Sequence, residues 1–207
     1  MFITAKKCAE ELSNTRKEKA VMLCKEVENH LHDLGMKNAR FDVSIEPKDM
    51  SSKGIDNVEF MFCANAGQDL KPLTKVASGG EISRLMLSMK NIDLNSSLVD
   101  TMIFDEIDTG ISGKVAQAVA NKLANISKDN QVLCVTHLPQ VAAMSDNHIF
   151  VYKTESENET VVSIKELNMD EKLIEVARMF SGEDVSDTGI NHAKELVESC
   201  ESYKKSL

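Results

Sequence analysis

An apolar run at residues 99–104 ends abruptly in two adjacent carboxylates, Asp105 and Glu106. An unpaired buried charge is costly, so a buried strand does not end in this way for stability alone. One carboxylate at a strand end can hold a hard cation such as Mg²⁺, often through water. The second can orient or deprotonate an attacking water molecule. The pair therefore predicts a magnesium–phosphate site at the carboxyl end of this strand.

A second feature, upstream, predicts an anion site at the start of a helix. The stretch begins Ser78-Gly79-Gly80-Glu81, and its later apolar residues recur with helical spacing. The two glycines allow a ligand to approach the backbone closely, and Ser78 can cap the helix. Because the N–H groups of a first turn and the helix dipole both favour negative charge, this helix start suits a phosphate.

A third feature is the apolar run at residues 131–136, which predicts a strand followed by His137. From residue 99 onward, strands and helices alternate: strand 99–104, helix 114–126, strand 131–136, a short helix from residue 138 and strand 148–153. This alternation predicts an α/β fold with a largely parallel sheet flanked by helices. Ligands of such sheets bind beyond the carboxyl ends of the strands, so we expect the acidic pair and His137 at the same edge.

The N-terminal segment, residues 4–34, predicts one long helix that ends at Gly35. Its apolar positions alternate steps of four and three, as in a heptad seam: Ala20, Cys24, Val27, Leu31 and Leu34. Two interpretations are open, a helix packed on its own domain and the end of a coiled coil that enters a globular head. The second interpretation divides the chain into a coiled-coil end at residues 1–35 and a globular lobe at residues 36–207.

Two pairs of antiparallel strands complete the prediction. Alternating residues at 41–45 predict a half-buried strand whose partner is the segment 58–64, and strands 148–153 and 161–167 flank a polar turn. Apolar stripes at residues 173–180 and 190–200 predict two C-terminal helices that pack on the core.

The amino-acid composition favours some classes of protein and argues against others. A chain of 207 residues with 42% hydrophobic and 28% charged residues is typical of a soluble globular protein. A net charge of −9 argues against this segment being the main contact with a nucleic acid. The five cysteines are far apart and lack metal-ligand spacing, which favours a reduced cytoplasmic protein. Since no apolar run approaches about 20 residues, we expect no membrane partner.

Three sequence blocks together resemble one family. Residues 75–84 (KVASGGEISR) resemble the signature motif of ABC-type ATPases, and residues 103–113 (IFDEIDTGISG) resemble their Walker B motif and the loop after it. Residues 135–142 (VTHLPQVA) resemble their switch-histidine segment. In wording, order and spacing, the three blocks resemble the C-terminal part of the RecN family, bacterial DNA-repair ATPases related to SMC proteins.

The resemblance implies the C-terminal lobe of an ABC/SMC-type P-loop ATPase head, with ATP and Mg²⁺ as cofactors. It implies that Asp105 helps to hold Mg²⁺, that Glu106 polarises the attacking water, and that His137 contacts the γ-phosphate. It further implies that four residues contact the ATP held by the opposing subunit: Ser78, Gly79, Gly80 and Glu81.

The chain has no G-x-x-x-x-G-K-[ST] sequence, the Walker A loop that cradles phosphates. The resemblance implies that an N-terminal lobe of the same protein supplies this loop. It also implies that two heads form a homodimer. The full-length protein would contact DNA in repair and recombination after DNA damage. Its location would be bacterial and nucleoid-associated. Ser112 stands where many ABC proteins carry Asp, which leaves the inter-subunit contact at that position open.

Two other classes of function remain open from the residues alone. A metal-dependent phosphoesterase of the Toprim-like type would use Asp105, Glu106 and Asp108 directly, with His137 and a further acid. A non-catalytic interaction module would bind a partner helix through the heptad seam. Asp108 is also a candidate turn or cap residue, or an aid to the metal site. Arg84 is expected on the surface, or as a nucleotide or interface contact.

Overall fold

The computed structural model describes residues 2–92, 99–156, 159–182 and 184–207. The chain forms two compact units, Met1–Leu98 and Val99–Leu207. Because the backbone clusters into these two units, each is described by itself.

The first unit packs a long helix and a shorter one on an antiparallel sheet. Its sheet has the order β1-β2-β3. The hairpin register places Phe41 opposite Phe62 and Ile45 opposite Val58, so the predicted pairing of these two segments is confirmed. The elements are helix α1 (Phe2–Asp33), strands β1 (Arg40–Ser51), β2 (Gly54–Cys63) and β3 (Lys71–Pro72), a 3-10 turn (Leu73–Lys75) and helix α2 (Gly79–Ile92).

The core of the first unit lies between α1, the hairpin and α2. Its buried residues come from these elements and from the connection between α1 and β1: Val27, Leu31, Met36, Ala39, Phe41, Phe62 and Leu85. Val27 and Leu31 belong to the heptad seam, so at residues 27–31 this seam packs on its own unit. The division into a coiled-coil end at residues 1–35 and a lobe at residues 36–207 stays a prediction.

The N-terminal half of α1 is attached to the start of β2 and to the turn before it by polar contacts. Ser13 Oγ donates to Asp56 Oδ1 at 2.7 Å, and Arg16 Nη1 donates to Asp56 Oδ2 at 2.9 Å. Arg16 also donates from Nη2 to the carbonyl of Lys53 at 3.0 Å. The side chain of Asp56 is almost fully buried, so it has exchanged water for these donors.

The second unit contains the remaining elements, which begin with the predicted strand–helix–strand alternation. They are β4 (Thr101–Phe104), α3 (Gly113–Ile126), β5 (Gln131–Cys134), α4 (Pro139–Met144), β6 (His148–Ser156), β7 (Glu159–Leu167), α5 (Met169–Ser181) and α6 (Asp187–Ser206). Strands β4 and β5 are parallel, with Ile103 opposite Leu133. Strands β6 and β7 form the predicted hairpin.

The parallel pairing expected for most of the sheet is found at β4 and β5, while the other strand pairs in the described ranges are antiparallel. The connections explain this difference. Helix α3 provides the crossover that a parallel pair requires, whereas two residues separate β1 from β2 and β6 from β7. A connection of two residues permits only a hairpin, so β6 and β7 pair antiparallel.

The cysteines and the apolar content of the helices are two further features of the chain. All five cysteines are free thiols. Within the residues that the structure describes, no helix is both long and apolar enough to span a bilayer.

Candidate functional site

The acidic pair lies where β4 leaves the sheet. Met102 and Phe104 are buried, while Asp105 and Glu106 are exposed immediately after the strand. The Glu106 amide donates to Asp105 Oδ1 at 2.9 Å, and this bond orients one oxygen of the carboxylate. The strand therefore ends, as predicted, by presenting two carboxylates to solvent at the sheet edge.

Glu106 has a backbone conformation that side chains rarely adopt. Its φ is 57°, and it is the one non-glycine residue with positive φ among the residues described here. The left-handed region costs a residue with a Cβ about 1–2 kcal/mol. The turn is closed by the amide of Thr109, which donates to the carbonyl of Glu106 at 3.1 Å. Strain of this kind concentrates at functional sites, which supports a functional role for Glu106.

Asp108 joins the loop after β4 to the end of β5. Its Oδ2 accepts from Thr136 Oγ1 at 2.6 Å and from the His137 amide at 2.9 Å. The same oxygen lies 3.1 Å from His137 Nδ1. Asp108 is only 3% exposed, so its carboxylate is a buried link. The two strand ends therefore meet at one edge, as the alternation of strands and helices predicted.

The segment after His137 is held by helix α4. Its residues are almost all buried, and Pro139 occupies the first turn, where a missing N–H costs nothing. At its end, the carbonyl of Ser145 accepts from the buried Lys172 Nζ at 2.5 Å. His137 thus extends from a firmly packed segment, while its own side chain stays 71% exposed.

The Cys134 thiol lies beside this site, and its raised pKa makes it unreactive. Burial, followed by the nearby carboxylates of Asp108 and Asp105, raises its pKa to about 12. Since the thiolate is the reactive form, the thiol at Cys134 is not a nucleophile at neutral pH.

The Ser-Gly-Gly segment in the first unit begins helix α2 as predicted. Ser78 Oγ accepts from the Glu81 amide at 3.4 Å, and the Ser78 carbonyl accepts from the Ile82 amide at 3.1 Å. Ser78 and Gly79 are exposed, whereas Gly80 is buried. Ser78 and Gly79 are therefore the residues of this helix start that an anion can reach, since the Glu81 amide already donates to Ser78 Oγ.

Arg84, in the next turn of α2, was expected on the surface, and this expectation is wrong. Only 8% of Arg84 is exposed. Burial lowers the pKa of its guanidinium, and the nearby Glu81 carboxylate opposes that shift.

The candidate residues divide between the two units. Asp105, Glu106 and His137 belong to the second unit, and residues 78–81 belong to the first. The contact that sequence reasoning missed is the one between Asp108 and His137. No local pattern could reveal it, because the two residues are separated by 29 positions.

Solved structures show which class of fold this is. The chain is similar to the Smc head domain with a coiled coil and joint from Pyrococcus yayanosii, with a TM-score of 0.52 and 17% identity over 78% of this chain and 29% of that one. It is also similar to an SmcHead bound to the C-winged helix domain of ScpA, with a TM-score of 0.50 and 19% identity over 78% of this chain and 47% of that one. The fold is therefore that of an SMC-type head domain, which confirms the predicted fold class.

Curated relatives identify the family. The chain is 43% identical over 198 residues to the DNA repair protein RecN of Halalkalibacterium halodurans, covering 93% of this chain and 35% of the relative. It is 41% identical over 212 residues to RecN of Bacillus subtilis, covering 95% of this chain and 37% of the relative. The chain belongs to the RecN family and spans about a third of the length of these relatives. No family model matches the chain.

Proposed function

We propose that this chain is the C-terminal lobe of an ATPase head that acts in DNA double-strand-break repair and recombination. The observation that carries this proposal is the meeting of the β4 and β5 ends, where Asp108 accepts from the backbone and side chain next to His137. This arrangement sets an exposed acidic pair and an exposed imidazole at one sheet edge. The relatives are DNA repair proteins by name, which supports the biological role.

Asp105 is the residue proposed to hold Mg²⁺. Its carboxylate is exposed at a strand end, and Mg²⁺ in nucleotide sites uses one or two carboxylates together with phosphates and water. The donor set therefore fits the ion. When bound, Mg²⁺ would neutralise charge on the β- and γ-phosphates.

Glu106 is proposed to polarise the attacking water. Its exposed side chain follows Asp105 directly, and the left-handed backbone at φ 57° holds the residue in a fixed turn. A carboxylate placed in this way accepts a proton or a hydrogen bond from water as the water attacks phosphorus. His137 is proposed to contact the γ-phosphate from the neighbouring strand end.

The start of α2 is proposed to bind the ATP held by a second head, through Ser78, Gly79, Gly80 and Glu81. The exposure of Ser78 and Gly79 supports this role, since N–H groups at a helix start favour phosphate oxygens. Two heads would then enclose the nucleotides between them, as the resemblance implies. The functional unit is accordingly a homodimer of heads.

The proposed partner within one head is an N-terminal lobe that carries the Walker A loop. On one face of the parallel pair, Ile103 is 71% exposed and Val135 is 63% exposed. Parallel sheets normally have both faces covered. The chain spans about a third of the length of its relatives and contains no Walker A sequence, so we assign this face to the Walker A lobe of the same protein.

DNA contact is proposed to lie elsewhere in the full-length protein. The net charge of this chain is −9, and phosphate backbones attract clustered Lys and Arg. We therefore expect that this lobe does not bind DNA strongly itself.

The phosphoesterase alternative has no support in the described residues. That alternative needs Asp108 as a metal ligand, yet its Oδ2 accepts from Thr136 and His137 and its side chain is almost fully buried. Within the described ranges, no group of three or more His, Cys, Asp or Glu side chains is placed to hold a metal ion.

The decisive test is ATP hydrolysis by this chain alone, by the Walker A lobe alone and by their mixture. We expect activity only in the mixture. Glu106→Gln should retain ATP binding and slow hydrolysis by roughly 10²- to 10⁴-fold, the usual contribution of a general base. Glu46→Gln, which neutralises an exposed carboxylate on β1, is the matched control and should hydrolyse normally.

Two results would contradict the proposal. Equal activity without the Walker A lobe would require a different phosphate site. Normal hydrolysis by the Glu106→Gln mixture would remove Glu106 from the assigned role, whatever the partner.

A further inference from the structure

The orientation of the His137 ring depends on a buried carboxylate two residues beyond the acidic pair. His137 has a side chain that is 71% exposed, so packing does not hold the ring in place. Its Nδ1 lies 3.1 Å from Asp108 Oδ2. Asp108 is 3% exposed, and a buried acceptor that already receives other hydrogen bonds has little freedom to move.

The chemistry of the contact fixes which ring nitrogen carries the proton. A carboxylate only accepts hydrogen bonds, so the 3.1 Å approach of Asp108 Oδ2 to His137 Nδ1 favours the form of the ring that carries its proton on Nδ1. The neutral ring is then protonated at Nδ1, and its Nε2 lies at the opposite edge of the imidazole. Because the two nitrogens are chemically distinct, the acceptor at Nδ1 determines what Nε2 can do.

The same carboxylate also fixes the backbone on which the ring is mounted. Asp108 Oδ2 accepts from the His137 amide at 2.9 Å and from Thr136 Oγ1 at 2.6 Å. Thr136 Oγ1 in turn accepts from the Leu138 amide at 3.0 Å. Three consecutive residues at the end of β5 are thus tied to one oxygen of the loop that contains Glu106.

We propose that Asp108 is a positioning residue for His137. It holds the ring in the Nδ1-protonated form, which leaves Nε2 as the unprotonated nitrogen, and it couples the position of His137 to the loop that carries Glu106. The orientation follows from the contacts in the chain itself. That Nε2 then meets a phosphate rests on the proposed function.

The tautomer is measured by ¹⁵N–¹H correlation spectra of the histidine rings in the 207-residue chain, at a pH where the ring is neutral. His137→Gln identifies the signals of His137 among the five histidines. We expect His137 to be protonated mainly at Nδ1. Asp108→Ala should abolish this preference, because the exposed ring then exchanges between both forms.

Thr136→Val is the matched control, since it removes one donor from the same buried cluster and leaves the Asp108–His137 contact in place. It should retain the Nδ1-protonated form. A wild-type spectrum dominated by the Nε2-protonated form would overturn the proposal even if Asp108→Ala fails to fold. An unchanged tautomer in folded Asp108→Ala would overturn it as well.

ATP hydrolysis by the chain mixed with the Walker A lobe separates this inference from the proposed function. We expect Asp108→Ala to lower kcat by about 10- to 100-fold, the range typical when a carboxylate that orients a histidine is removed, with KM nearly unchanged. Thr136→Val should affect kcat far less. If the wild-type mixture hydrolyses no ATP, the proposed function fails while the tautomer result stands. Full kcat in Asp108→Ala would overturn the positioning role.

Discussion

Arg16 and Asp56 form the ion pair that attaches the N-terminal half of α1 to the β1–β2 hairpin, with Arg16 Nη1 2.9 Å from Asp56 Oδ2. Ser13 donates to the other carboxylate oxygen at 2.7 Å. The Ser13 hydrogen bond, followed by the Arg16 hydrogen bond, lowers the pKa of Asp56 below its ordinary value of 3.8. The attachment of the helix is therefore linked to pH.

The first prediction concerns acid stability. A carboxyl group whose pKa is lowered by folding stabilises the protein fully above its ordinary pKa. The contribution is lost as the pH falls below 3.8 through the lower folded-state value. We therefore expect Asp56→Asn to lower the Tm at neutral pH, with a difference from wild type that shrinks in acid. Thermal unfolding followed by circular dichroism measures both quantities.

The matched control for acid stability is Asp49→Asn, which changes an exposed carboxyl group on the same hairpin. Its Tm should follow that of the wild type at every pH. A Tm difference for Asp56→Asn that persisted unchanged in acid would show that the ion pair does not supply the stability.

The second prediction concerns the strained backbone at Glu106, where φ is 57°. Glycine adopts this conformation freely, which removes about 1–2 kcal/mol of strain, and it loses part of that gain through greater chain entropy. We expect Glu106→Gly to raise the free energy of unfolding by up to about 1 kcal/mol while abolishing hydrolysis in the mixture with the Walker A lobe. Chemical denaturation of the chain provides the first measurement.

Thr109→Gly is the control, because Thr109 lies in the same loop with a negative φ. Here glycine should destabilise the chain by roughly 0.5–1 kcal/mol through entropy alone. Equal losses for the two variants would mean that Glu106 carries no strain in solution.

Local patterns were enough to predict most of the elements. The alternation at Phe41, Val43 and Ile45 gave β1, and the strand-end carboxylates Asp105 and Glu106 lie at the sheet edge where the alternation of strands and helices placed them. Strands and strand ends of this kind depend on residues that are close in sequence, because the spacing of apolar residues along one element determines which of its faces is buried. The family resemblance was carried by the same short blocks.

Features that depend on distant residues were not predictable from these patterns. The residues around Asp108 are typical of a turn, so they do not indicate its contact with His137, which lies 29 positions away. Arg84 is buried in α2, which its own charge does not indicate. Which strands pair in parallel depends on the lengths of the connections between them, and these lengths are known only once the strand ends are known.

The third prediction tests the apolar face of the parallel pair. Ile103 is 71% exposed on β4, so Ile103→Asp should change the stability of the chain by about 1 kcal/mol or less. If the Walker A lobe covers this face, the buried charge should weaken assembly by about tenfold or more. Calorimetric titration of the chain with that lobe measures the affinity.

Val151→Asp is the matched control for assembly, since Val151 is 60% exposed on β6 in the same unit. It introduces the same charge on a strand outside the proposed contact and should leave the affinity unchanged. Equal weakening by both variants would point to a general effect of charge, and no weakening by Ile103→Asp would exclude this face from the contact.

The fourth prediction concerns the start of α2 in the pairing of heads. Ser78 is exposed and its Oγ accepts from the Glu81 amide at the long distance of 3.4 Å, so Ser78→Arg should cost at most about 1 kcal/mol of stability through the lost cap. The long cation would occupy the space proposed for ATP of the opposing head and block pairing. Light scattering of the chain mixed with the Walker A lobe and ATP reports the dimer.

Ser78→Ala is the control, because it removes the cap alone, and it should still pair. ATP-dependent dimerisation by Ser78→Arg at the wild-type level would remove this helix start from the interface.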